Sequence, residues 1–315
     1  MTQNAALKII ATRQAAQQPS RGIEHVSQEQ AVGGNHHSLF HVIWWVSNLL
    51  LILATCLAVY SLLWEYSTRR YLKGFSDAIV PASSSPEGKI EAILNWMSNG
   101  PARQSASSSF LSRDRDPIDT LNYTSLLQVC GSATNAFVNL ADSSGLSARR
   151  LLLIDATRRA KHVVAEVLID GRWIVVDPAY RVILTAEDGT LLTRQDLANP
   201  AVFSLATSGI SGYQSDYTYD RTSHVRLSRV PFIGRFLRLT LDRYAPAWQD
   251  SVVLSLLLER RSLAALIASL ILLFAAGFWR FTLRWYGERH LEVRSIRFRV
   301  QVRRALEVFF DRASS

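Results

Sequence analysis

The 315-residue chain carries a formal net charge of +9 and two cysteines. The basic excess separates by position into +1 before residue 42, +5 after residue 279 and +3 across the long stretch between, where acids nearly balance bases. That distribution excludes a nucleic-acid binder, which needs a basic surface on its folded domain. Cys56 lies in an apolar run and Cys130 far outside it, so the two exclude a disulfide framework.

In chain order, a polar tail (residues 1–41) precedes residues 42–64, which hold no charged side chain and are long enough to cross a hydrocarbon core of roughly 30 Å. Trp44 and Trp45 border this run at one end, and Tyr60, Trp64 and Tyr66 at the other, as interfacial aromatics do. It is predicted to be a transmembrane helix. No small-residue cleavage site follows it, so a cleaved signal peptide is not expected. Cys56 is read as a small residue within the span, and Asn122-Tyr123-Thr124 matches a glycosylation acceptor pattern. Residues 65–86 form a stalk and linker, ending in the Pro81 to Pro86 serine-rich stretch. Ser85 and Pro86 then open a helix with Ile90, Ile93, Leu94 and Met97 on one face, followed by a polar loop over residues 100–117.

Residues 132–142 repeat apolar side chains at helical spacing (Ala133, Ala136, Phe137, Leu140), and Gly145 stands where a left-handed residue closes the turn. Cys130 therefore sits at a helix amino end, where the free amides and the macrodipole favour a thiolate. Residues 161–169 and 172–176 are aliphatic runs joined by Asp170-Gly171, a strong hairpin signal. With a two-residue loop, Ile169 pairs with Arg172 and Val164 faces Asp177. His162, Val164, Glu166, Leu168, Trp173, Val175 and Asp177 then share one face. His162 becomes the diagonal neighbour of Asp177, roughly 7–8 Å away at the backbone and within reach of a hydrogen bond. A thiol, an imidazole and a carboxylate in this order suggest covalent acyl transfer.

The text Val129-Cys130-Gly131-Ser132-Ala133, then Ser144-Gly145-Leu146-Ser147-Ala148-Arg149-Arg150, then His162 to Val167 and Gly171 to Pro178 resembles the bacterial transglutaminase-like proteins of the papain-like cysteine superfamily. The resemblance runs from about residue 87 to residue 197. It implies an α+β papain-like/transglutaminase-like core, a Cys-bearing helix packed on an antiparallel sheet, with Cys130 as nucleophile, His162 as its base and Asp177 as orienter. The resemblance provides no clear match to a side chain completing the oxyanion hole. Gln128 is a candidate on residue type alone, and Glu166 is either a surface charge or part of the cleft wall. The implied activity is that of a cysteine protease, amidase or transglutaminase-like acyltransferase on peptide or protein substrates, without metal or cofactor. The alternative is an inactive relative that binds or assembles components of an envelope or polysaccharide export system.

Downstream of Pro178, Glu187-Asp188-Gly189 marks a second hairpin, and the transglutaminase-like domain is expected to span residues 87–200. An extension over residues 201–261 contains Tyr213, Tyr217 and Tyr219, read either as a substrate-contacting loop or, more commonly for such a cluster, as exposed surface. Residues 230–244 suggest a basic amphipathic helix near the membrane. Residues 262–279 form a second uncharged run, and residues 280–315 a tail with nine arginines against four acids. The tail's apolar residues and charge suit anionic lipid. The positive-inside rule puts it in the cytoplasm; two crossings put the amino terminus there too and the domain outside, on a bacterial inner membrane.

Overall fold

The computed structural model describes residues 21–100, 116–122, 126–157, 159–225, 234–245 and 248–290. Most of the polar loop, the Tyr123 and Thr124 part of the acceptor motif, the tail beyond residue 290 and the first twenty residues lie outside them. The chain divides into two compact units. Met1–Leu57 with Leu270–Ser315 forms one, and Ala58–Ser269 the other.

The first unit holds the amino-terminal part of α1 (Arg21–Ile79) and the carboxyl-terminal part of α9 (Arg261–His290), two long helices. Within it Phe40 and Trp44 pack against Leu283, and the Arg280 guanidinium lies 4.3 Å from the Trp44 ring centre. The two helices are long and apolar enough to cross a membrane over Leu39–Ile79 and Arg261–His290. The expected stalk is thus a direct continuation of α1: nothing in residues 65–79 breaks a helix, and Pro81 ends it.

The second unit is α+β, with helices and one antiparallel sheet of five strands. Helix α2 (Pro86–Asn99) starts where Ser85 accepts a hydrogen bond from the Gly88 amide at 3.1 Å. It buries Ile90, Ile93, Leu94 and Met97, the expected face. After α3 (Pro117–Asn122) and a single 3-10 turn (Leu126–Gln128) comes α4 (Cys130–Ser143). Ala133, Ala136, Phe137 and Leu140 on α4 are all fully buried. Its carboxyl end closes through Gly145 at φ 84°, with the Leu146 amide donating to the Ala141 carbonyl at 2.9 Å.

The sheet comprises β1 (Ala148–Ile154), β2 (Ala160–Ile169), β3 (Arg172–Asp177), β4 (Val182–Ile183) and β5 (Thr222–Ser223), in the order β4-β3-β2-β1-β5. Strands β2 and β3 pair from Ile169↔Arg172 to Ala165↔Val176, the register expected from the two-residue loop. Asp170 at φ 47° and Gly171 at φ 78° turn the chain with two left-handed residues, which matches the twist of the flanking strands. Alternation along β2 and β3 builds two cores. Ala165, Val167, Ile169, Ile174 and Val176 pack with α4 and α2, while Val164 and Val175 pack on the opposite face with Leu184, Leu197, Phe203 and Tyr219.

That second face is covered by α5 (Arg194–Leu197), which carries a Thr193/Asp196 capping box, and by α6 (Pro200–Thr207). The segment leading to β5 completes the cover. Helix α7 (Gly234–Tyr244) falls within the amphipathic stretch, and α8 (Val252–Glu259) leads directly into α9.

Candidate active site

Three elements deliver the site. Cys130 is the first residue of α4, whose capping position, Val129, supplies no side-chain acceptor to its free amides. His162 lies near the start of the interior strand β2 and Asp177 at the end of β3. His162 Nε2 and Asp177 Oδ2 are 2.7 Å apart, the diagonal contact that the register requires. This leaves the other ring nitrogen for the Cys130 thiol, whose pKa the imidazole lowers.

Burial alone raises the pKa of the Cys130 thiol. It is outweighed by the hydrogen bond and charge of His162 and by the backbone amides of Val163 and Gly131, so the thiol titrates below its ordinary value. Burial likewise disfavours the charged imidazole, but Asp177 and Cys130 reverse that and push His162 up to about 9. The two shifts have opposite sign, as expected of a thiolate–imidazolium pair. The carboxylate is fully buried and fully engaged: Oδ1 accepts from the amides of Ala179 and Tyr180 at 3.0 and 3.3 Å, and Oδ2 also accepts from the Tyr213 hydroxyl at 3.0 Å.

Two contributions to this geometry were not foreseen from sequence. The first is the tyrosine cluster, expected as exposed surface. Tyr217 and Tyr219 are buried, and Tyr217 stacks on His162 with ring centres 4.4 Å apart and an interplanar angle of 4°. The reason is that the sheet face bearing His162 is covered by residues from beyond β3, and this segment is the one that returns to it. The second is Arg181, left-handed at φ 62°. Its guanidinium donates to the carbonyls of Pro178 and Ala179, and to that of Leu127 at 2.7 Å, tying the turn after Asp177 to the turn before Cys130. A non-glycine residue in that conformation costs on the order of 1 kcal/mol, a strain of the sort found at working sites.

Glu166 is neither a surface charge nor part of a cleft wall. It is 1% exposed, and its Oε2 takes Arg149 Nε and His224 Nε2, each at 2.7 Å. Buried carboxylates need such partners, and here they lie on β1 and just after β5. Trp173 is half-buried, with the Arg149 guanidinium 3.8 Å above its ring. Gln128 is exposed in the 3-10 turn two residues before Cys130.

A different buried network grips α4 from behind. Asn135, Asn139 and Asp142 form a stripe at helical spacing, and they meet two consecutive residues, Glu259 and Arg260, at the junction of α8 and α9. The Asn135 amide donates to Glu259 Oε2 at 3.0 Å, and Glu259 also pairs with Arg150 at 2.5 Å. Arg260 donates to Asn139 at 2.9 Å and Asp142 at 3.0 Å, and reaches Glu65 on α1 at 3.3 Å. Among the described residues no group of acidic, histidine or cysteine side chains is placed to hold a metal ion.

A Cys-first helix, followed by a strand carrying His and a neighbouring strand ending in Asp, is the arrangement that the resemblance implies. Residues 73–178 match the family model of the transglutaminase-like superfamily. The match contains all three site residues and identifies a transglutaminase-like domain covering about a third of the chain, starting within α1 and stopping just past Asp177. Neither a curated protein nor a solved structure matches the chain.

Proposed function

We propose that this protein is a membrane-anchored transglutaminase-like cysteine enzyme that performs acyl transfer on amide or isopeptide bonds of peptide or protein substrates. The observation that carries the reading is the continuous chain Cys130–His162–Asp177, with its 2.7 Å imidazole–carboxylate contact and a thiol whose pKa is lowered by the imidazole. Cys130 attacks the carbonyl carbon, so a C–S bond forms as the carbonyl becomes a tetrahedral oxyanion. The Cys130 backbone amide at the start of α4 stabilises that oxyanion. His162 then gives its proton to the amine as the C–N bond breaks, leaving a thioester. Water or a second amine then attacks the thioester, giving its proton to the neutral His162 as the C–S bond breaks and the thiolate leaves, which restores the thiolate–imidazolium pair. Asp177 holds the ring orientation and favours the cationic imidazole throughout.

In this reading the two apolar helices anchor the domain to a bacterial inner membrane, with both termini cytoplasmic and the domain outside, acting on envelope material; the arginine-rich stretch after α9 supports that orientation through the positive-inside rule. The reading is tested by exposing the protein to iodoacetamide across pH, alongside Cys130→Ala and His162→Ala. The expected result is labelling of Cys130 with an apparent pKa below that of an ordinary thiol, about 8.5, moving upward in His162→Ala. Labelling with an ordinary pKa that is unchanged on losing His162 overturns the enzyme in favour of a binding protein.

A further inference from the structure

The β2–β3 ladder stops before β2 does. Its pairs run from Ile169↔Arg172 to Ala165↔Val176, while β2 continues back to Ala160. Main-chain groups alternate between the two edges of a strand. The hairpin pair turns the amide and carbonyl of Ile169 toward β3, so those of Val167, Ala165 and Val163 face the same edge; the Leu168 amide donates the other way, to Ser147 at 2.9 Å. Continued in the same register, the partner of Val163 is Pro178, which has no amide hydrogen to give. The carbonyl of buried Val163, the residue directly after His162, therefore needs a donor from outside the sheet.

Thr134 supplies it. This residue of α4 is fully buried, and its hydroxyl donates to the Val163 carbonyl at 3.0 Å. A hydroxyl on a helix commonly turns back to the carbonyl four residues earlier, as Thr55, Ser98, Ser143 and Thr282 all do in this chain. For Thr134 that local acceptor would be Cys130, and the hydroxyl reaches across to β2 instead. Thr134 lies one helical turn beyond Cys130, hence on the same face of α4. The Val163 amide is in turn among the groups that hold the Cys130 thiol below its ordinary value. Val163 thus meets α4 twice, its amide acting on the sulfur and its carbonyl held by the hydroxyl. The cluster that packs α4 on the sheet, with Ala133, Ala136 and Phe137 beside Ala165 and Val167, is apolar and carries no direction. A hydrogen bond fixes both a distance and an angle.

We propose that Thr134 is a positioning residue: its hydroxyl locks the first turns of α4 against β2 and so sets the approach of the Cys130 sulfur to the His162 ring. The inference rests on the acyl-transfer reading for the use made of that approach; the approach itself does not depend on turnover.

The test compares the full chain in detergent with Thr134→Val, which keeps the branched shape and removes the donor, and with Thr134→Ser, which keeps the donor. Two quantities are read, iodoacetamide labelling of Cys130 across pH and the titration of the His162 ring by NMR. In Thr134→Val the labelling rate on the acid side of the profile should fall about twofold to tenfold, the span of one neutral hydrogen bond. The apparent thiol pKa should move up toward about 8.5, and the ring should titrate below its value of about 9. Thr134→Ser should retain the wild-type behaviour in both. Ser76→Ala removes a hydroxyl that donates to the Leu140 carbonyl at 3.4 Å, near the other end of α4, and should change neither. Both quantities unchanged in Thr134→Val, even where its thermal midpoint drops, would make Thr134 a structural residue only and overturn the inference; an equal shift in Ser76→Ala would do the same. A wild-type thiol that already titrates as an ordinary one sinks the acyl-transfer reading instead, and the ring titration in Thr134→Val then decides the inference by itself.

Discussion

In the proposed reaction Tyr213 acts through Asp177, because its hydroxyl shares Asp177 Oδ2 with the imidazole. Tyr213→Phe deletes a hydrogen bond to a buried charge and is expected to destabilise the protein by about 1.5–3 kcal/mol, read as a shift in the urea midpoint. With one donor fewer, the carboxylate interacts more strongly with its remaining partner, so the His162 pKa should rise further above about 9 in an NMR titration of the ring. In the wild type, the rise of His162 from its ordinary value sets two pH effects. In the proposed reaction the imidazolium protonates the leaving amine and is lost as pH climbs through about 9, so the kcat/KM profile should fall on its alkaline side there. The stability contributed by the charged ring is complete below about pH 6.5, its unfolded value, and is lost as pH rises toward 9. Cys130, His162 and Asp177 were legible in the sequence because two of them sit at fixed offsets from a hairpin turn and the third at a helix start. Tyr213, Tyr217 and Arg181 were not, since their roles depend on where a later segment returns and on one left-handed residue, neither of which leaves a local pattern.

Among the elements, the β2–β3 hairpin carries the most functional information. Inserting one residue between Val176 and Asp177 turns Asp177 to the opposite face of the sheet and takes it away from His162. Such a variant should retain a folded far-UV spectrum while iodoacetamide labelling of Cys130 moves toward the ordinary thiol pKa. Glu166 shows the limit of the same reasoning: its face followed from the period of two, but its partners Arg149 and His224 lie on strands whose pairing with β2 could not be counted from a turn. The junction of α8 and α9 was equally hidden, because Glu259 and Arg260 read in sequence as mere flanking charges. Arg260→Met leaves the nearly buried Glu65 and the Asp142 carboxylate without their shared cation, and is expected to cost about 3–5 kcal/mol. Adding Glu65→Gln should recover part of that loss, a coupling measurable as a double-mutant cycle in thermal unfolding.

For the whole molecule, the expectation that follows from the two apolar helices and the arginines after α9 is a carboxyl terminus on the cytoplasmic side. A phosphatase or fluorescent-protein reporter fused there should behave as cytoplasmic, and activity of the exported phosphatase would reverse the proposed orientation. The apolar character of both helices was legible as uninterrupted uncharged runs, whereas the fusion of span and stalk into one α1 was not, because no capping signal marks where a membrane ends. The buried charges also govern how the protein can be dissected. The family-matched stretch, taken alone, would strand Arg150 without Glu259 and Glu166 without His224, and would strip α4 of the residue that grips Asn139 and Asp142. A soluble fragment that keeps its fold must therefore be cut no later than Glu65 at one end and no earlier than Ser262 at the other, which retains the roots of both apolar helices.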